Sequence, residues 1–265
     1  MGRIETTFQR LKTQDKKALI TYIMAGDPDL SATEALISTI EQAGGDILEL
    51  GVPFSDPVAD GPTIQRASER ALQSKTTLRK VLALVKKARK DGAAIPLIIM
   101  TYYNIIFQYG IDRFAKDAVS SGVDGAIIPD LPPEEAADFI KYARSSGLDT
   151  IFLLAPTSTG ERIKKIASSS TGFIYYVSMT GITGARIHNL SEIRGKIPEI
   201  RQHADLPIAV GFGISNEDDA KRIVKWADGV IIGSALVKLI EANRGNRLLL
   251  SKVARFIRGM KGAIG

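Results

Sequence analysis

Residues 47 to 63 read Ile-Leu-Glu-Leu-Gly-Val-Pro-Phe-Ser-Asp-Pro-Val-Ala-Asp-Gly-Pro-Thr, with Glu49 inside an apolar run and Asp56 and Asp60 in the turn-rich loop behind it. A strand sends alternate side chains to opposite faces, so Glu49 shares a face with Ile47 and Gly51 while Leu48 and Leu50 point the other way. An ionisable group in such a run costs several kcal/mol unless it is paired, neutralised or set where a substrate meets it. Packing gives no reason for Glu49, whereas acid–base catalysis does. Asp60 offers a second carboxylate, although Asp-Gly by itself is also a common turn. Tyr102, Asp130 and Tyr175 stand near the ends of other apolar runs. Asp130 reads as a loop or cap residue, and Tyr175 as either a site aromatic or a core tyrosine.

A second group of residues suits an anion. Gly211-Phe-Gly-Ile-Ser215 closes one apolar segment, and Gly233-Ser-Ala235 closes the next and opens a helical stretch beginning at Leu236. Glycines let backbone N–H groups approach closely, and a helix start adds partial positive charge, so Gly213, Gly233 and Ser234 form a candidate phosphate cradle. The plain alternative is a tight turn with Ser234 as an N-cap. The stretch Thr180-Gly-Ile-Thr-Gly-Ala-Arg186 adds Gly184 as a further donor and reads as a hinged lid or a plain loop.

Absences narrow the chemistry. No lysine lies in the strand-like segments, so an imine with substrate is disfavoured. The chain has no cysteine and only two histidines, His188 and His203, which are not spaced as metal ligands. A metal-stabilised enolate is therefore disfavoured too, as is an isomerase that recruits a histidine electrophile. What remains is a phosphorylated small molecule, one or two carboxylates and an apolar pocket of residues such as Tyr22, Met100, Ile127, Phe212 and Ile231. Carbon–carbon cleavage there needs a substrate with its own electron sink.

The frame for these groups is repetitive. Eight apolar segments, 19–25, 47–51, 96–102, 125–129, 150–155, 173–178, 208–211 and 230–233, are each followed by a helix-like stretch. Most are continuous Ile/Val/Leu runs, the pattern of strands buried on both faces of a parallel sheet. Helix starts are expected at Ser31-Ala-Thr-Glu34, at Pro132-Pro133-Glu134-Glu135 and after Ser215. Eight such units in 265 residues predict one (β/α)8 TIM barrel over 1–265, with an added amphipathic N-terminal helix. A doubly wound sheet is the runner-up, but no Gly-x-Gly-x-x-Gly follows the first strand. With 45% hydrophobic and 24% charged residues, no signal peptide and no membrane-length apolar run, a cytoplasmic protein is expected. The net charge of +6 is spread along helical stretches such as Lys80 to Lys90, which disfavours nucleic acid as a partner.

Together these motifs resemble the α subunit of tryptophan synthase. The resemblance spans essentially the whole chain: Thr-Tyr-Ile-Met-Ala-Gly-Asp-Pro at 21–28, the stretch 48–65, Gly181-Ile-Thr-Gly184, Gly211-Phe-Gly-Ile-Ser215 and Gly233-Ser-Ala235. The 48–65 stretch is specific to that family, whereas the glycine motifs are shared with many phosphate-binding barrels. The resemblance implies retro-aldol cleavage of indole-3-glycerol phosphate to indole and glyceraldehyde 3-phosphate. Indole would pass to a pyridoxal-phosphate-dependent β subunit in an α2β2 assembly, with no cofactor on this chain. The indole ring, protonated at C3, is the missing electron sink. By the same resemblance Glu49 is the acid–base group, Asp60 holds the indole N–H, and Thr183 orients Asp60. Tyr175 lines the pocket beside Glu49, while Gly184, Gly213, Gly233 and Ser234 hold the phosphate. Phe212 packs on the indole, and Tyr22, Met100 and Ile127 complete the wall. Tyr22 stands where the family often has Phe, and Pro129 where a small residue is common. Contacts with the β subunit are expected at Phe54-Ser-Asp-Pro57, near Asn104 and Phe107, and at Leu131-Pro-Pro133. A stand-alone lyase with the same catalytic residues, and a phosphosugar isomerase barrel, remain as alternatives.

Overall fold

A computed structural model describes residues 2–177, 190–211 and 213–265. Its strands are β1 (Ala18–Met24), β2 (Ile47–Gly51), β3 (Leu97–Met100), β4 (Gly125–Ile127), β5 (Asp149–Ile151), β6 (Leu153–Leu154), β7 (Ile174–Val177), β8 (Ile208–Gly211) and β9 (Gly229–Ile232). They form one sheet in the order β5-β4-β3-β2-β1-β9-β8-β7-β6, and every pairing is parallel. Only Phe152 separates β5 from β6, so the two ends of that order are one stretch of chain and the sheet is a nearly closed barrel. The expected fifth strand is thus split in two, and the count of strand–helix units stands.

Strand parity sorts the core into two layers. Ala18, Ile20, Ile47, Ile98, Ile127, Ile151, Phe173, Tyr175, Ala209 and Ile231 face the barrel interior as one cluster. Their neighbours Leu19, Leu48, Leu50, Leu97, Ile99, Ile174, Tyr176, Val210, Val230 and Ile232 pack outward against the helices. This double burial is why the strands read as unbroken apolar runs. The N-terminal helix α1 (Arg3–Thr13) presents Ile4, Phe8 and Leu11 to the interior cluster and closes the end where the strands begin. There Asp46, Asp124 and Asp228 each accept a backbone N–H from the neighbouring strand, at Leu19 (2.8 Å), Leu97 (2.7 Å) and Ile208 (2.9 Å). Arg10 pairs with Asp46 and Arg3 with Asp124, so α1 is held by ion pairs as well as by its apolar stripe. The opposite end, where strands finish, is left for chemistry.

Three helix starts differ from the sequence reading. The helix α2 (Leu30–Gln42) is capped by Asp29, which accepts from Ala32 N–H at 2.7 Å, and Glu34 pairs with Lys87 instead of closing a capping box. The stretch 132–136 is a turn, and the next helix runs Ala137–Ser146. Asn216, not Ser215, caps the helix Glu217–Ile223 through Asp219 N–H at 2.9 Å. Several Asp, Asn and Ser residues sit near each start, and competition among them is decided by how the preceding loop packs. Among the described residues no helix is long and apolar enough to cross a membrane.

Candidate active site

The strand β2 delivers Glu49 to the barrel interior, in register with Tyr22 of β1 and Ile98 of β3. Glu49 is 0% exposed, and among the described residues neither carboxylate oxygen has a hydrogen-bond partner. Burial alone pushes its pKa up to about 8. At neutral pH it is a neutral acid that ionises at small further cost, as a group that both gives and takes a proton requires.

Asp60 follows β2 on the loop 52–61, which is tethered at several points. Ser68 Oγ donates to Phe54 C=O and accepts from Phe54 N–H, both at 2.9 Å, and Gln65 donates to the Asp60 carbonyl at 2.8 Å. The helix α3 (Pro62–Gln73), which carries Gln65 and Ser68, begins at Pro62, with Gly61 as N-cap, so Asp60 is locked between a turn and a helix start. The Tyr102 hydroxyl donates to Asp60 Oδ2 at 3.1 Å and accepts from Ala59 N–H at 3.0 Å. Burial raises the Asp60 pKa to about 6, and the Tyr102 hydrogen bond opposes that rise. Tyr102 is 5% exposed and its ring lies 5.2 Å from that of Phe54. The sequence placed Tyr102 at a strand end and gave it no role. Its position just past β3, level with the loop after β2, was the available signal. Replacing Tyr102 with Phe is expected to move the Asp60 pKa above 6, since the hydrogen bond that opposes its rise is lost; a titration of activity would check this. Asp130 accepts from Tyr103 N–H at 2.9 Å and serves as a cap, as expected.

The pocket wall gathers around these carboxylates. Tyr22, Ile127, Tyr175 and Ile231 are 7%, 0%, 5% and 2% exposed, and Met100 packs against the same interior. The hydroxyls of Tyr22 and Tyr175 are held protonated, first by burial and then by the nearby Glu49 and Asp60 charges. Both rings lie over a glycine of the next strand: a methyl on Gly51 would meet the Tyr22 oxygen at 2.1 Å, and one on Gly211 the Tyr175 ring at 2.5 Å. Of the glycines expected to hold the phosphate, Gly213 has φ +75°, a conformation L side chains rarely adopt. Gly233 would tolerate a methyl, 3.5 Å from the Tyr22 Cβ, so packing does not demand glycine there. Gly233 is the N-cap of the helix Ser234–Ala242, without a side-chain cap, and Ser234 is its first residue. That end leaves N–H groups open toward the mouth. Thr183, Gly184 and Phe212 lie outside the described residues. A cavity of about 800 Å³ lined by Glu5, Lys12, Asp149 and Arg201 lies under α1, away from all of these groups. Among the described residues no three His, Cys, Asp or Glu side chains are gathered as metal ligands.

Barrel and buried carboxylates together point to a class, the (β/α)8 enzymes that carry their chemistry where the strands end. The comparisons specify it further. Residues 8–265 match the family model described as tryptophan synthase alpha chain. The tryptophan synthase alpha chain of Geotalea uraniireducens is 54% identical over 264 residues, covering 100% of this chain and 98% of the relative. That of Geobacter sulfurreducens is 51% identical and covers 100% of both. The crystal structure of tryptophan synthase subunit alpha from Legionella pneumophila superposes with a TM-score of 0.93 at 41% identity, covering 100% of this chain and 98% of that one. The chain belongs to the tryptophan synthase alpha-chain family. It is a lyase that cleaves indole-3-glycerol phosphate to indole and glyceraldehyde 3-phosphate. Neither the stand-alone lyase nor the isomerase barrel is favoured.

Proposed function

We propose that Glu49 and Asp60 carry this cleavage, with the two carboxylates divided by their environments. Glu49, neutral up to about pH 8, gives its proton to C3 of the indole ring. Asp60, ionised above about pH 6, accepts the indole N–H and stabilises the positive charge that C3 protonation places on the ring. The Glu49 carboxylate then takes the proton of the hydroxyl on the adjoining chain carbon. The carbon–carbon bond breaks as that oxygen becomes the aldehyde, and its electron pair neutralises the ring. Glu49 ends protonated, ready for another cycle. Two titratable groups pushed apart by environment are the pattern of an acid and a carboxylate working together. The observation that carries this reading is the fully buried Glu49 with no protein partner for either oxygen.

Gly213, Gly233 and Ser234, with Gly184, would hold the phosphate, and Tyr22, Met100, Ile127, Tyr175, Phe212 and Ile231 would enclose the ring. Thr183 would orient Asp60. Membership of an alpha-chain family implies a β-subunit partner. An α2β2 assembly is proposed, with pyridoxal phosphate on the partner, none needed on this chain, and the cytoplasm as its setting. The whole chain is read as one barrel domain. Phe107, 63% exposed on the helix Tyr103–Tyr109, and Val58, 81% exposed on the loop after β2, are apolar groups that suit the partner surface. Leu131 and Pro133 are buried, so the loop 131–133 would contribute through Pro132. The test is indole release from indole-3-glycerol phosphate by the purified chain, with and without an added β subunit. The expected profile is bell-shaped in kcat/KM with limbs near pH 6 and 8; a rate rising steadily through pH 9 would remove Glu49 as the proton donor.

A further inference from the structure

We infer that Tyr22 is a catalytic residue whose hydroxyl donates a hydrogen bond to the substrate oxygen from which Glu49 takes the proton. This rests on the reading of Glu49 above. Tyr22 and Glu49 are partners in the β1–β2 register, so both project into the interior at the same level. From there the phenol reaches across to β2: its oxygen lies where a methyl on Gly51 would come within 2.1 Å. Gly51 is two residues toward the mouth from Glu49 on the same face, a step of about 6.6 Å. The Glu49 charge acts on the Tyr22 phenol, so the two groups face the same part of the interior, and a substrate oxygen bound there is the group they would share. The ring's other end lies beside Gly233, where a methyl would be 3.5 Å from the Tyr22 Cβ. The Tyr22 side chain therefore spans from beside Gly233 to Gly51, between the proposed phosphate end and the face that carries Glu49.

The hydroxyl has nothing else to do. Tyr22 is 7% exposed, and among the described residues its oxygen has no hydrogen-bond partner. The oxygen is not fully enclosed, unlike those of Glu49, so it is open to water or to a substrate group that displaces it. Burial and the Asp60 and Glu49 charges keep the phenol protonated, so it acts as a donor throughout the working range. When Glu49 removes the hydroxyl proton, negative charge grows on the substrate oxygen until the carbonyl forms, and a fixed donor stabilises that charge more than it stabilises the starting hydroxyl. Tyr22 transfers no proton.

The test compares wild type with Tyr22→Phe, which removes one oxygen and leaves the ring over Gly51. Steady-state indole formation is measured with and without the β subunit, alongside binding of an unreactive indolyl-alkyl phosphate that lacks the chain hydroxyl. The expected result is a kcat about five- to tenfold lower, the effect of one hydrogen bond, with KM within about twofold and equal binding of the analogue. An unchanged kcat in an active pair of proteins overturns the inference. So does a loss of analogue affinity equal to the loss in kcat/KM, which marks a packing role. A wild type that forms no indole overturns the reading of Glu49 and Asp60 beneath it.

Discussion

Glu49→Gln is expected to lower the rate of indole formation by about 10²–10⁴-fold, the range for loss of a positioned acid–base group. The amide has nearly the same shape and can neither give nor take the proton. KM should stay within about threefold, because Glu49 acts on the reacting atoms and not on the phosphate or the ring. The fold should survive, since Glu49 makes no hydrogen bond to any described residue and none is lost. A Glu49→Gln protein keeping more than about a tenth of wild-type activity would exclude Glu49 as the proton carrier. Asp60→Asn is the natural companion: it keeps a hydrogen-bond acceptor for Tyr102 and for the indole N–H but loses the charge. A substantial loss there, with Glu49 intact, would separate the two roles.

The second large effect concerns stability and has the opposite sign. Burial raises the Glu49 pKa from 4.5 to about 8 in the folded chain. Above pH 4.5 the unfolded chain releases this proton while the folded chain retains it. Stability from this group is therefore fully present below pH 4.5 and is lost as pH rises toward 8, by about 1.4 kcal/mol per pH unit. Across the window that is on the order of 5 kcal/mol, a large share of a protein's net stability. Glu49→Met keeps the length of the side chain and removes the ionisation. It is expected to flatten the fall in stability between pH 5 and 8 and to stabilise the folded chain by several kcal/mol at pH 8, while abolishing activity. Asp60, raised from 3.8 to about 6, adds a smaller fall of the same sign that the variant keeps. Urea melts of both proteins across that range check this. Equal slopes for the two would show that Glu49 is not the group the fold holds against its ionisation. Glu49 thus weakens the fold at the pH where it works, as expected of a residue retained for catalysis.

Much of this was legible in one dimension. Strand positions came from apolar runs, and those runs arise because each strand is covered on both faces, by interior side chains and by helices. β2 and β8 coincide with the expected segments, and the others shift by a residue or two at their ends. Glu49 was visible because a carboxylate inside such a run has no packing role. The turn at Gly213 was visible because glycine at a strand end marks an unusual backbone conformation, here φ +75°, whereas Gly233 has no such need. Helix starts were less legible: Asp29 and Asn216 prevailed over nearby Ser31 and Ser215 because capping depends on how the preceding loop enters the helix.

What the sequence by itself determined is everything that depends on residue type and short-range periodicity: the alternation of strand and helix, the buried acid and the glycine turns. Only the tertiary structure decided relations between residues far apart. Tyr102 and Asp60 are separated by 42 positions, and their hydrogen bond exists only because β2 and β3 are neighbours in the barrel. Tyr22 lies over Gly51 because β1 and β2 pair in one register and not another. The pKa of Glu49 belongs to the same class, since it depends on the water excluded by the whole closed barrel and on no near neighbour in the chain.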